Sequence, residues 1–211
     1  ANFKDLKRYM KFYGVKEVDG ILADFGVSSH QFDTEKRGFS TRFEGRLDMR
    51  MDQTSTLSAY EVVNDYSEQE LISIMKLYGE VKGAHKIVAA LLDHREEEPI
   101  ETTTDLIALI KPLTPERFLN KILAQVFQAI RIEVNQELEV IKLFLEQTVD
   151  VLKSEGRLVC ISYHSLEDRL VKRFIREGVF EGTAEQDFFG NRFTPLKKVG
   201  GLVVPDDDEV K

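Results

Sequence analysis

Apolar positions follow two rhythms along this chain. Two short stretches are continuously apolar and then turn polar at once. The first is Ile21-Leu22-Ala23, closed by Asp24 and followed by Gly26, Ser28 and Ser29; the second is RLVCISYHS, Arg157 to Ser165, apolar until Ser162. Parallel strands covered on both faces read as unbroken apolar runs, and open α/β sheets bind ligands beyond the C-terminal ends of their strands. The pattern predicts two buried strands, the first over about Val18 to Phe25. Parallel in one sheet, they bring Asp24 close to Ser162 and His164 along one edge.

Elsewhere the spacing is helical. Phe3, Leu6, Met10 and Tyr13 recur at helical intervals, with Asn2 as a cap and Gly14 as a stop. Thr34 to Arg50 is irregular and rich in arginine. Ser67 and Glu70 form a capping box ahead of Leu71, Ile74, Met75 and Tyr78. Ile87, Val88, Leu91 and Leu92 make a further apolar stripe. Thr104 can cap a short helix through Ile110, and Thr114-Pro115 opens another. Leu119 to Lys153 is helical with a break near Asn135. Since a simple crossover needs only about a dozen residues, a long helical stretch between two similar strands predicts an α/β core with a helical insertion.

After the second strand, Ser165 can cap a helix with Asp168 three residues on. Leu166, Leu170, Val171, Phe174 and Ile175 face inward, while Arg169, Lys172, Arg173 and Arg176 share the other face. That face reads either as solvated or as a contact for phosphates.

Composition narrows the classes. With 211 residues, 42% apolar and 31% charged, the chain is globular, with room for one large domain or a domain with an insertion. A net charge of -8 argues against a general nucleic-acid coat and leaves room for a local basic face. No apolar run approaches the ~20 residues that span a bilayer, and nothing resembles a signal peptide. The single cysteine, Cys160, reads as core packing, cannot form an internal disulfide and suits a cytoplasmic protein. A hydrolase triad of Asp24, His164 and Ser165 is disfavoured: strand neighbours point to opposite faces and no G-x-S-x-G elbow occurs. The four histidines are scattered, so no metal site is expected. Asp24 by itself also reads as a carboxylate capping strand-end amides.

Five stretches then point one way: DGILADFGVSSHQFD, RGFS, LDMRMD, FQAIRIEVNQELE and ISYHSLEDRLVKRFIRE. Together, in this order, they closely resemble the RsmH (MraW) family of S-adenosylmethionine-dependent methyltransferases, which act on the exocyclic N4 of a cytidine in small-subunit ribosomal RNA. The resemblance implies an α/β fold: a partial Rossmann-like methyltransferase core over 1–36 and 127–211, with an inserted, mainly helical substrate-recognition domain over 37–126. Family members begin with a glycine-rich loop and a strand ending in a ribose-binding acid, and no G-x-G pattern precedes Asp24. The resemblance therefore implies a chain short at both ends. Charge-assisted hydrogen bonds contribute ~1.5–3 kcal/mol each and a micromolar ligand is held by about 8 kcal/mol. These residues alone are accordingly expected to bind the cofactor weakly and to be inactive.

By motif, the resemblance implies S-adenosyl-L-methionine contacts from Phe3, Asp24 and Gln31: an apolar wall for adenine, a carboxylate acceptor, and an amide that both donates and accepts. His30 stands where many relatives carry proline. Asp24 and, at the adjacent strand end, His164 are the catalytic candidates. Arg37, Arg46, Arg50, Arg169, Lys172 and Arg173 are the candidates for RNA phosphates. The implied partner is small-subunit ribosomal RNA, with no membrane association and with a homodimer left open. Two alternatives stand beside this reading: a catalytically inactive ribosome- or RNA-binding module, and an amino-methyltransferase acting on DNA.

Overall fold

The computed structural model describes residues 2–190 and 192–199. In chain order its regular elements are α1 (Leu6–Phe12), β1 (Val18–Asp24), α2 (Ser29–Asp33), α3 (Ala59–Asp65), α4 (Glu68–Leu77), α5 (Ala84–Arg95), α6 (Thr103–Ile110), α7 (Glu116–Asn135), α8 (Glu137–Val151), β2 (Leu152–Ile161) and α9 (Ser165–Glu177). The acidic tail lies outside the described residues. Among those described, no helix is long and apolar enough to cross a membrane.

The two strands pair in parallel, as their matching apolar runs predict. Gly20 to Asp24 lie in register with Arg157 to Ile161, so that Asp24 is opposite Ile161. Their burial departs from the sequence expectation. Ala23 is buried and Ile21, Leu158 and Cys160 are partly buried, whereas Leu22 and Val159 are 70% and 52% exposed. Successive side chains on a strand point to opposite faces, so among the described residues one face of the pair is covered and the other is open. Burial pushes the Cys160 thiol up to about 11, leaving it a poor nucleophile at neutral pH.

The chain divides into two compact units, one of residues 1–24 and 141–211, the other of residues 25–140. The helical insert expected over 37–126 lies within the second unit. Its core gathers the apolar faces of α3 to α7, including Val62, Leu71, Met75, Leu91, Leu106 and Ile130. In the first unit, Phe174 stacks on Phe180 at 4.9 Å, and Phe3 meets Phe144 edge-on at 5.4 Å.

Helix ends follow local chemistry. Asn2 accepts from Lys4, and Ser67 with Glu70 forms the expected capping box. Two caps differ from expectation. Thr102, not Thr104, begins α6, because it is extended and has Asp105 three residues on to complete the box. His164, not Ser165, is the N-cap of α9, with Glu167 at the third helical position. The break near Asn135 is a left-handed Gln136 between α7 and α8.

Candidate functional site

In the first unit, β1 delivers Asp24 exposed at its C-terminal end, and β2 leads into Ser162-Tyr163-His164 before α9. The residue beside Asp24 is Tyr163. Its hydroxyl hydrogen-bonds with the Asp24 carboxylate, which raises the phenol above its ordinary value, and its side chain stays 69% exposed. His164 turns the other way. Its side chain is only 10% exposed, with Nε2 3.3 Å from a Glu167 oxygen.

Glu167 organises this turn. It is fully buried, and its Oε2 accepts the backbone N–H of Tyr163 at 2.8 Å and of His164 at 3.4 Å. Burial by itself would raise this carboxyl; hydrogen bonding to His164 and to the Tyr163 amide outweighs burial and holds it below its ordinary value. Tyr163 and Glu167 carry roles the sequence reading missed. The signal was available in strand alternation, since adjacent Tyr163 and His164 cannot both face the ligand edge.

Phe3 lies in the short 3-10 turn Phe3–Asp5, half-buried against Phe144. In the second unit, Gln31 belongs to the capping box of α2: its Oε1 accepts the Ser28 N–H at 3.2 Å and its own N–H reaches the Ser28 hydroxyl at 3.3 Å. His30 is exposed.

The arginine-rich stretch divides by environment. Arg37 donates to the carbonyls of Arg50 and Met51 and lies over the Phe39 ring. Arg50 grips Asp48 through two contacts, at 2.8 and 3.0 Å, and donates to the Ser55 carbonyl. Arg46 is exposed. On α9, Arg169 is exposed, Lys172 pairs with Asp168 at 2.8 Å, and Arg173 donates to the Gly182 carbonyl.

The FQAIRIEVNQELE stretch holds the second unit together. Arg131 clasps Glu137 at 2.7 and 2.9 Å, and Glu133 accepts the Tyr66 hydroxyl at 2.7 Å. Asn135 ties α7 to the LDMRMD segment. It accepts the Met51 N–H at 2.7 Å and donates to the carbonyls of Met49 and Arg131.

The pattern that describes the MraW methylase family matches residues 1–188. The chain belongs to the MraW methylase family. Among curated relatives, the ribosomal RNA small subunit methyltransferase H of Flavobacterium johnsoniae is 56% identical over 210 residues, covering 100% of this chain and 70% of its own length. The proteins of the same name from Cytophaga hutchinsonii and Bacteroides fragilis are 51% and 48% identical, over 99% and 100% of this chain and 70% and 69% of their own lengths. These names favour neither an inactive binding module nor a DNA methyltransferase. As a methylase of this family, the chain is an enzyme, and its parallel pair suits a partial Rossmann-like core.

Proposed function

We propose that this methylase transfers the methyl group of S-adenosyl-L-methionine to the exocyclic N4 of a cytidine in small-subunit ribosomal RNA, in the cytoplasm. Family membership over residues 1–188 carries the reading. The exposed Asp24 carboxylate at the end of a parallel strand supports it, because that is where open α/β sheets meet ligands.

Taken one by one, the three residues suit the cofactor chemically. Asp24 can accept from the adenine amine or lie near the sulfonium, and the half-buried Phe3 ring is an apolar wall. Gln31 has its carbonyl oxygen engaged by Ser28, leaving its amide hydrogens to donate. When bound, S-adenosylmethionine supplies an electrophilic methyl group.

The residues of the chain must make a poor nucleophile competent. A cytosine amine is conjugated with its ring, so a site that accepts its protons and fixes its approach favours a pyramidal nitrogen. Asp24, the Ser28 hydroxyl and the backbone carbonyls between them are the acceptors of this segment. Tyr163 orients the Asp24 carboxylate, and His164, turned inward against Glu167, serves as a positioning residue. The target base has to be unpaired or extruded. Arg46, Arg169 and Lys172 are exposed among the proposed phosphate contacts. Arg37, Arg50, Lys172 and Arg173 would contribute field while keeping their internal partners.

The test is methyl transfer from labelled S-adenosylmethionine to small ribosomal subunits lacking the modification, using the full-length protein and mass spectrometry of the product nucleoside. N4-methylcytidine that disappears in Asp24→Ala is the expected result. Another methylated nucleoside, or transfer unaffected by Asp24→Ala, overturns the assignment.

A further inference from the structure

We propose that the helical unit carries a second nucleotide site: a cavity of about 490 Å³ that holds one unpaired nucleotide of the same RNA, other than the one methylated. This rests on the RNA reading above. The cavity is formed within residues 80–125, from the start of α5, the turn before α7 and the first part of α7. Its volume is in the range of small-ligand pockets, about 300–1,000 Å³.

Its walls combine an apolar surface with unpaired cations. Ile87 and Phe118 supply the apolar part; the Phe118 ring is 46% exposed and has the Arg117 guanidinium 4.7 Å from its centroid. Lys82, Lys86 and Lys121 are exposed lining residues, and none of the three has an ion-pair partner among the described residues. One carboxylate, Glu80, also lines the cavity. The N-cap of α5 is Gly83, left-handed (φ 82°), with no capping side chain and no acid in the first turn. The helix N-terminus therefore adds positive potential where Lys82 and Lys86 already stand.

A flat ring among several cations is the combination that single-stranded nucleic-acid sites use. Every base offers a π-face for stacking and every nucleotide a phosphate. An acidic peptide would satisfy the lysines and has no need of the ring. None of the lining residues belongs to the strand ends; the nucleotide proposed here anchors the RNA and is distinct from the methyl acceptor. Its loss should weaken substrate capture and leave the chemical step intact.

Two full-length variants test this, Phe118→Ala and the pair Lys82→Glu with Lys121→Glu; all three positions are exposed, and thermal midpoints check that the fold is kept. We expect KM for small subunits to rise roughly tenfold in each, and the lysine pair to flatten the salt dependence of binding. Saturated kcat and cofactor affinity should match the parent. Ultraviolet cross-linking with mass spectrometry should find a nucleotide other than the methylated cytidine on the Phe118 peptide. Unchanged KM and salt slope in both variants overturn the proposal, as does cross-linking of that peptide only to the acceptor cytidine or only to a ribosomal protein. If the parent makes no N4-methylcytidine, the functional reading fails separately, and the cross-link still decides whether this cavity holds RNA.

Discussion

The buried carboxylate of Glu167 accepts the backbone N–H of Tyr163 at 2.8 Å, so a residue inside α9 sets the turn that presents Tyr163 to Asp24. Removing the acceptor takes the partner from two part-buried donors, which costs about 1–3 kcal/mol. Glu167→Ala should lower stability by that amount, and Glu167→Gln by less, because an amide oxygen can still accept. The folded carboxyl sits below its ordinary value of 4.5. Its stabilisation is therefore complete above about pH 4.5 and is lost as pH falls through the lower folded value. Denaturant titrations of parent and Glu167→Gln should show a gap that is constant at neutral pH and closes in acid. A gap that persists unchanged below pH 4 would contradict it.

Tyr163 itself offers a spectroscopic reading. Its phenol is raised by the hydrogen bond to Asp24 and by that carboxylate's charge. Ultraviolet titration should reveal a late-ionising tyrosine that is missing in Tyr163→Phe, while Tyr66, raised by burial and by its hydrogen bond to Glu133, stays late in both. In Asp24→Asn the same tyrosine should ionise at lower pH, because the neighbouring negative charge has gone.

Asn135 joins two sequence-distant segments through three hydrogen bonds, to Met51, Met49 and Arg131. Asn135→Ala should destabilise the second unit by roughly 2–4 kcal/mol, since several partly buried backbone groups lose partners together. Asn135→Asp keeps the acceptor for the Met51 N–H and loses both donations. In hydrogen exchange, protection at Met51 should therefore survive in Asn135→Asp and collapse in Asn135→Ala.

Gly38 has φ 69°, and a Cβ placed there would meet the Arg46 carbonyl oxygen, part of a backbone that cannot swing aside as a side chain could. Gly38→Ala combines left-handed strain with that collision, for a loss of about 2–4 kcal/mol. The denaturation midpoint should fall with little change in slope.

The basic face of α9 can be tested by charge reversal. Arg169 is exposed, and Arg173 has a backbone partner in Gly182. Reversing both charges should weaken RNA binding and reduce its salt slope by up to about 2, with cofactor affinity unaffected. Affinity and slope equal to the parent would return this face to plain solvation.

The strands, most of the helices and the residues that identify the family were legible in one dimension, because each depends on neighbours in sequence. An apolar run that ends in Asp24 encodes a strand end wherever it packs. Ser67 and Glu70 cap α4 because three residues of helix bring them together. The distinction between Tyr163 and His164 was less legible. Both sit at the same polar strand end, and only burial of Glu167 shows which side chain turns inward. The same holds for the arginines. Arg37, Arg46 and Arg50 look alike in sequence, yet two are engaged by carbonyls and a carboxylate while Arg46 stays open.

What the sequence by itself determined, then, is local: period, caps, the break at Gln136, and a set of motifs specific enough to reveal ancestry. Tertiary structure alone decided which face of the strand pair is covered, which polar groups are spent on the protein's own backbone, and that residues 80–125 form an open cavity lined by three lysines. The physical reason is that burial and hydrogen-bond partnership are properties of chain segments far apart in sequence. Asn135 and Met49 carry no mark of each other until packing brings a donor to a carbonyl.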